Sequence, residues 1–146
     1  MSVTLTLMPA PMAAVIAGRP SRVAGILMRA FGRSTAAHST LVLSDTNSTA
    51  ILTDGSLGKG VEDVTVERSE DNDCSRLEAS HDGYARAFGL VHKRSLMLGN
   101  DGKELRGADQ LMPKGRRKIR ESAPYAVRFH LAPGVEATIT ADGMGA

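Results

Sequence analysis

The chain has one cysteine, Cys74, among its 146 residues, and no tryptophan. A single thiol cannot close an internal disulfide, which excludes the stapled framework of small secreted scaffolds and any CxxC metal pair. Aromatic residues make up only 3% of the sequence. Sugar-binding modules lean on exposed rings and single-strand nucleic-acid binders stack bases on them, so this poverty argues against both unless a partner supplies the rings. No apolar run reaches the roughly 18 residues that a membrane-spanning helix needs. Carboxylates are missing from residues 1–44, which carry Arg19, Arg22, Arg29 and Arg33; the first acid is Asp45. What remains is an ordinary globular composition, 42% apolar and 23% charged with a net charge of +2. It excludes a wholly disordered chain and suits one domain with a real core, not a two-domain enzyme.

The acid-free lead resembles a transit peptide in composition, and its apolar start (Val3, Leu5, Leu7, Met8, then Ala13 to Ala17) resembles a signal peptide. Neither pattern is complete, because Arg19 follows the apolar run and Pro9 and Pro11 interrupt it. The third reading is a lead that belongs to no compact fold. Val23, Ile26, Leu27 and Ala30 fall at helical intervals and predict one helix over residues 21–31.

From about Thr40 the pattern changes to short period-2 runs between turn signals, the signature of an antiparallel all-β sandwich. Val64 and Val66 alternate with Thr65 and Glu67, Leu77 and Ala79 with Arg76, Glu78 and Ser80, and residues 90–98 suffice for a further strand. Val127, Phe129 and Leu131, then Val135, Ala137 and Ile139, predict a hairpin about Pro133-Gly134. Asp54-Gly55, Asn72-Asp73, Asp82-Gly83, Asn100-Asp101-Gly102 and Asp142-Gly143 tolerate the positive φ of tight turns. The division expected is a lead over residues 1–33 and a partial sandwich over 34–146.

Four histidines could carry acid–base chemistry. His38 sits before the first β run, where a lone histidine is more often structural or merely exposed. His81, in His81-Asp82-Gly83-Tyr84, is in phase with Leu77 and Ala79, and His92 with Leu90 and Leu96; a hydrogen-bonded buried imidazole is the plain reading of both. His130 is expected to be solvated. No two histidines have the i, i+2 or i, i+4 spacing of a metal site, so any metal would be assembled across strands. Lys114, Arg116, Arg117, Lys118 and Arg120 could grip an anionic group, although a solvated loop is the commoner role for such a run. Gly55, Gly58 and Gly60 lack the Walker spacing, and a turn accounts for them. Cys74, beside Asp71 and Asp73, is no nucleophile.

The ordered stretches Ala36-Ala37-His38-Ser39-Thr40, Glu78-Ala79-Ser80-His81-Asp82-Gly83-Tyr84-Ala85-Arg86, Leu90-Val91-His92-Lys93-Arg94 and Phe129-His130-Leu131-Ala132-Pro133-Gly134 resemble the β-sandwich part of the heparinase II/III-like proteins of bacteria. The resemblance runs from about Ser34 to Ala146. It implies an α/α toroid followed by a sandwich, eliminative cleavage of uronic-acid-containing polysaccharides, and a periplasmic or cell-envelope location. His38 matches the sandwich histidine that reaches into the cleft and is the implied catalytic residue. His81 and Arg86 are the implied substrate-binding residues, and a divalent metal is the cofactor the family allows. An acidic polysaccharide and a separately encoded toroid are the implied partners; nucleic acid and a membrane span are not. The toroid is too large for this chain, so the sequence reads as a partial product, inactive and aggregation-prone alone. The alternative is a non-catalytic sandwich that binds an acidic glycan or a protein partner through residues 114–120 and Arg86.

Overall fold

The structure is a computed structural model that describes residues 22–115 and 123–138. Helix α1, Arg22–Arg33, opens it. Its Ile26 and Ala30 backbone lies against Gly55, and Arg33 Nη1 donates to the Gly55 carbonyl at 2.8 Å. The opposite arc of the helix leaves Val23, Leu27, Met28 and Phe31 exposed. A 3₁₀ turn, Thr35–Ala37, leads into β1, Leu41–Leu43. Strands β2 (Val64–Glu70), β3 (Cys74–His81), β4 (Leu90–Gly99) and β5 (Leu105–Pro113) follow, with the short helix α2, Ala85–Phe88, between β3 and β4 and β6, Tyr125–Val127, at the end.

Strands β2 to β5 form one four-stranded sheet in sequence order, and β1 pairs with β6 in a second, two-stranded sheet; every pairing is antiparallel. The fold is therefore the expected all-β, partial sandwich behind a short helical lead. Alternation gives the large sheet two unlike faces. Thr65, Glu67, Glu78, Arg76, Lys93, Ser95 and Gln110 stand on one; Val64, Val66, Leu77, Ala79, Leu90, Leu96, Leu98, Leu105 and Leu111 stand on the other. The small sheet covers only one end of the apolar face, where Leu41, Leu43, Tyr84 and Leu90 form the core with Phe88, Leu111 and Val127 packed against them. Among the described residues nothing covers the far end, where Leu98 is 43% exposed and its partner Leu105 58%.

Several expectations need correction. The hairpin about Pro133-Gly134 is not formed among the described residues. The turn closes, with Val135 N–H donating to the Ala132 carbonyl at 3.1 Å and Gly134 at φ +83°. Yet β6 stops at Val127, and residues 128–138 follow without strand pairing. Phe129 is drawn instead against the Arg94 guanidinium, 5.6 Å from the ring centroid. Asp82-Gly83 does not join two strands but opens the turn into α2, with Ala85 N–H donating to the Asp82 carbonyl. Strand β1 departs from the period-2 pattern of the other runs, because Leu41, Val42 and Leu43 are all buried. Asp142-Gly143 and most of the basic run, Arg116, Arg117, Lys118 and Arg120, lie outside the described residues.

Candidate functional site

A group of polar residues crosses the apolar face near its covered end. His81 on β3 faces His92 on β4 in direct register, and Arg94 on β4 faces Asp109 on β5. The hydrogen bonds have a single consistent direction. Gly83 N–H donates to His81 Nδ1 at 3.2 Å, so that nitrogen is an acceptor and the His81 proton sits on Nε2. His81 Nε2–H then donates to His92 Nδ1 at 3.1 Å, and His92 Nε2–H donates to Asp109 Oδ1 at 2.6 Å. Both histidines are thereby neutral and fully used. Arg94 grips the same carboxylate in a fork, Nε to Oδ1 at 2.7 Å and Nη2 to Oδ2 at 2.9 Å.

The electrostatics follow from this packing. Burial lowers the His81 pKa and the neighbouring His92 lowers it further, while Asp82 pulls weakly the other way. Burial would raise the Asp109 carboxyl, but the bonds from His92 and Arg94 outweigh it and hold the carboxyl below its ordinary value. Sequence reasoning missed Asp109 altogether. The signal was there: in Leu105, Gly107, Asp109 and Leu111 the carboxylate is in phase with leucines, the mark of a buried acid that must have partners.

Arg94 also reaches out of the row. Its Nη1 donates to the Ser39 carbonyl. Ser39 Oγ accepts from His130 N–H at 2.8 Å, and His130 Nε2–H donates to the Ala36 carbonyl at 3.1 Å. The stretches containing His38, His92-Lys93-Arg94 and Phe129-His130 are thus brought together, and His130, though exposed, is not merely solvated. His38 stands between these tethers with its side chain exposed. Arg86, on α2, is exposed as well.

Next to the row is an open pocket of about 300 Å³, lined by Thr40, Val61, Val64, Ala79, Ser80, His81, His92 and Arg94. Each ring nitrogen of its two histidines is bonded within the protein, and each guanidinium nitrogen of Arg94 likewise. The walls are therefore mostly ring faces and aliphatic carbon. A divalent metal does not fit this arrangement, since the histidine nitrogens point at one another rather than at a common centre. Among the described residues no three His, Cys, Asp or Glu side chains are grouped to hold a metal ion.

The rest of His81-Asp82-Gly83-Tyr84 is structural. Asp82 accepts from the backbone N–H groups of Glu62 and Asp63 at 2.9 and 3.0 Å and from Lys114 Nζ at 2.8 Å. Lys114 holds the carboxyl far below its ordinary range, and the two backbone donors add to this. Lys114, in the run read as a solvated loop or else as a grip for an anionic group, is thus engaged by Asp82 and Asp63. Gly83 comes so close to the Ser48 carbonyl that a Cβ would lie 2.7 Å from it. The Tyr84 ring is buried and its hydroxyl donates to the Leu41 carbonyl at 3.0 Å. Burial raises the Cys74 thiol, so it is no nucleophile. No helix among the described residues is long and apolar enough to cross a membrane.

Comparison with known proteins gives these motifs a context. FtsZ-localized protein C of Caulobacter vibrioides is 37% identical over 122 residues, which cover 69% of this chain and 21% of that protein. The chain thus spans about a fifth of the relative's length. No solved structure matches. The sequence model of the heparinase II/III-like, C-terminal family matches residues 18–146, and the chain belongs to that family.

Proposed function

We propose that this chain is a non-catalytic module, a heparinase II/III-like sandwich that recognises a protein partner rather than cleaving a uronate polymer by itself. One observation carries the reading: the acid–base and cationic groups around the pocket are committed to each other, which leaves apolar walls. Eliminative cleavage needs a cation for the uronate carboxylate, a base for the neighbouring carbon and an acid for the leaving oxygen. His81, His92 and Arg94 offer none of these without first breaking internal bonds, so His81 serves as a brace rather than a substrate ligand. The name of the relative, which describes localisation with FtsZ and no reaction, supports the same reading. On this proposal residues 1–33 are a lead and 34–146 the module. The experiment incubates the purified chain with heparan-like and alginate-like polymers and sediments it with FtsZ filaments. Association with filaments and no unsaturated uronate chromophore are expected; formation of the chromophore, lost in His38→Ala, would overturn the proposal.

One observation favours a second reading. His38 is exposed and held from both sides, as a residue that completes another domain's cleft must be. On that reading the chain is the sandwich of a polysaccharide lyase of the periplasm or envelope, His38 meets the toroid, and Arg86 contacts the acidic chain. Cleavage that appears only when a toroid domain is added, and that His38→Ala abolishes, would select it.

A further inference from the structure

The polar row and the segment bearing His38 are joined through a single shared carboxylate. Asp109 takes a hydrogen from His92 on one side and the two-pronged Arg94 fork on the other, and the remaining Arg94 nitrogen holds the Ser39 carbonyl. The row has no vacancy for another hydrogen. A proton added at His81 Nδ1 would oppose the Gly83 N–H; one added at His92 Nδ1 would oppose His81 Nε2–H. Either protonation therefore breaks a bond and puts an imidazolium in the row, beside Asp109 when His92 carries the charge and one ring away when His81 does. That imidazolium competes with the guanidinium for the one carboxylate and repels it.

We infer that His81, His92, Asp109 and Arg94 form one relay that positions the His38–Thr40 segment, holding it while both imidazoles are neutral and releasing it when the pair takes up a proton. Asp109 and Arg94 are positioning residues in this scheme, and the inference stands whether His38 serves a partner protein or a lyase cleft. Other charged groups near the pair leave it intact. Asp82, next to His81, is occupied by Lys114 and two backbone N–H groups. Tyr84, whose ring centroid is 5.7 Å from that of His81, is bound to the Leu41 carbonyl. His130 donates Nε2–H to the Ala36 carbonyl in either protonation state, so its tether does not let go with acid.

The test is amide hydrogen exchange on the full chain, corrected for intrinsic rate, from above to below the ordinary imidazole range. The His38 and Thr40 amides bond to the Thr35 and His38 carbonyls and report on the segment. Their protection is expected to fall about tenfold on acidification, the loss of roughly one charge-assisted bond, while amides of the β3–β4 ladder hold. In Arg94→Lys and Asp109→Asn the segment is expected to exchange fast at every pH. In a His81→Phe, His92→Phe double variant the pH step is expected to vanish. Nitrogen shifts of the imidazoles give a second measure that needs no variant, with both protons expected on Nε2 at neutral pH. A flat profile, a step shared with the β3–β4 amides, a step that survives in the double variant, or a neutral tautomer protonated at Nδ1 would each overturn the inference.

Discussion

At the scale of the residue, Asp82 shows how one carboxylate can fasten three segments. It sits between the backbone of residues 62 and 63 and the lysine that follows β5, and its folded-state pKa is well below the value it has in the unfolded chain. A depressed carboxylate pKa stabilises the fold fully above the ordinary carboxylate range and progressively less as pH falls below it. Chemical denaturation across that range is expected to show stability dropping with acid in the wild type. The drop should be smaller in Asp82→Asn, which has no charge to lose; equal acid limbs would contradict the assignment. His81 works in the same direction at higher pH. Its folded-state pKa is lowered, so the unfolded chain binds more protons just below the ordinary imidazole range and stability declines there too. The positions of His81 and His92 were legible from their phase with leucines. Their bond to each other was not, because a register between strands is no property of a single strand.

At the scale of the element, two glycines contrast a tightly packed connection with an open helix face. A Cβ at Gly60 would lie 2.3 Å from the Thr49 Cα, and backbone on backbone cannot yield as a side chain tip can. Gly60→Ala is expected to cost about 1–3 kcal/mol, the usual range for forcing atoms into a filled site. Gly25, inside α1, has nothing within 4 Å of its added Cβ, so Gly25→Ala is expected to stabilise by about 0.5–1 kcal/mol through helix propensity alone. Denaturant midpoints of the two variants should move in opposite directions. Strands β2, β3 and β4 could be read in the sequence because alternation and turn dipeptides agree along them. Strand β5 could not: Gly107 and Pro113 dilute its pattern, and the ladder to β4 is what holds it extended. Phe129 and Leu131 alternated as a strand should, but a contact with Arg94 draws Phe129 away from the ladder and overrides the pattern.

For the whole molecule, the decisive fact is a sheet whose apolar face is covered at one end only. Leu98 and Leu105, paired across β4 and β5, present branched aliphatic side chains to water side by side, a surface of the kind that marks an interface or an aggregation site. The chain on its own is expected to self-associate in sedimentation velocity and to bind a hydrophobic dye, and Leu98→Glu with Leu105→Glu should reduce both. A monodisperse wild-type monomer that binds no dye would show that the patch is covered. The helix, strands β2 to β4 and an incomplete, aggregation-prone sandwich were foreseeable, whereas which end of the sheet lies uncovered was not visible until the short β1 and β6 were placed.

Strand β1 also imposes an order on how the protein can be made. Apart from a local bridge between Leu43 and Thr46, its three buried residues pair with Tyr125–Val127, near the other end of the described chain. The β2–β5 meander can zip up hairpin by hairpin as it leaves the ribosome, each pairing being local. Leu41, Val42 and Leu43 emerge before any of it and must wait for their ladder partners until synthesis has passed Val127. The most apolar strand is thus the first to be born and the last to find its neighbour, which makes the nascent chain, rather than the finished one, the species most in need of a chaperone.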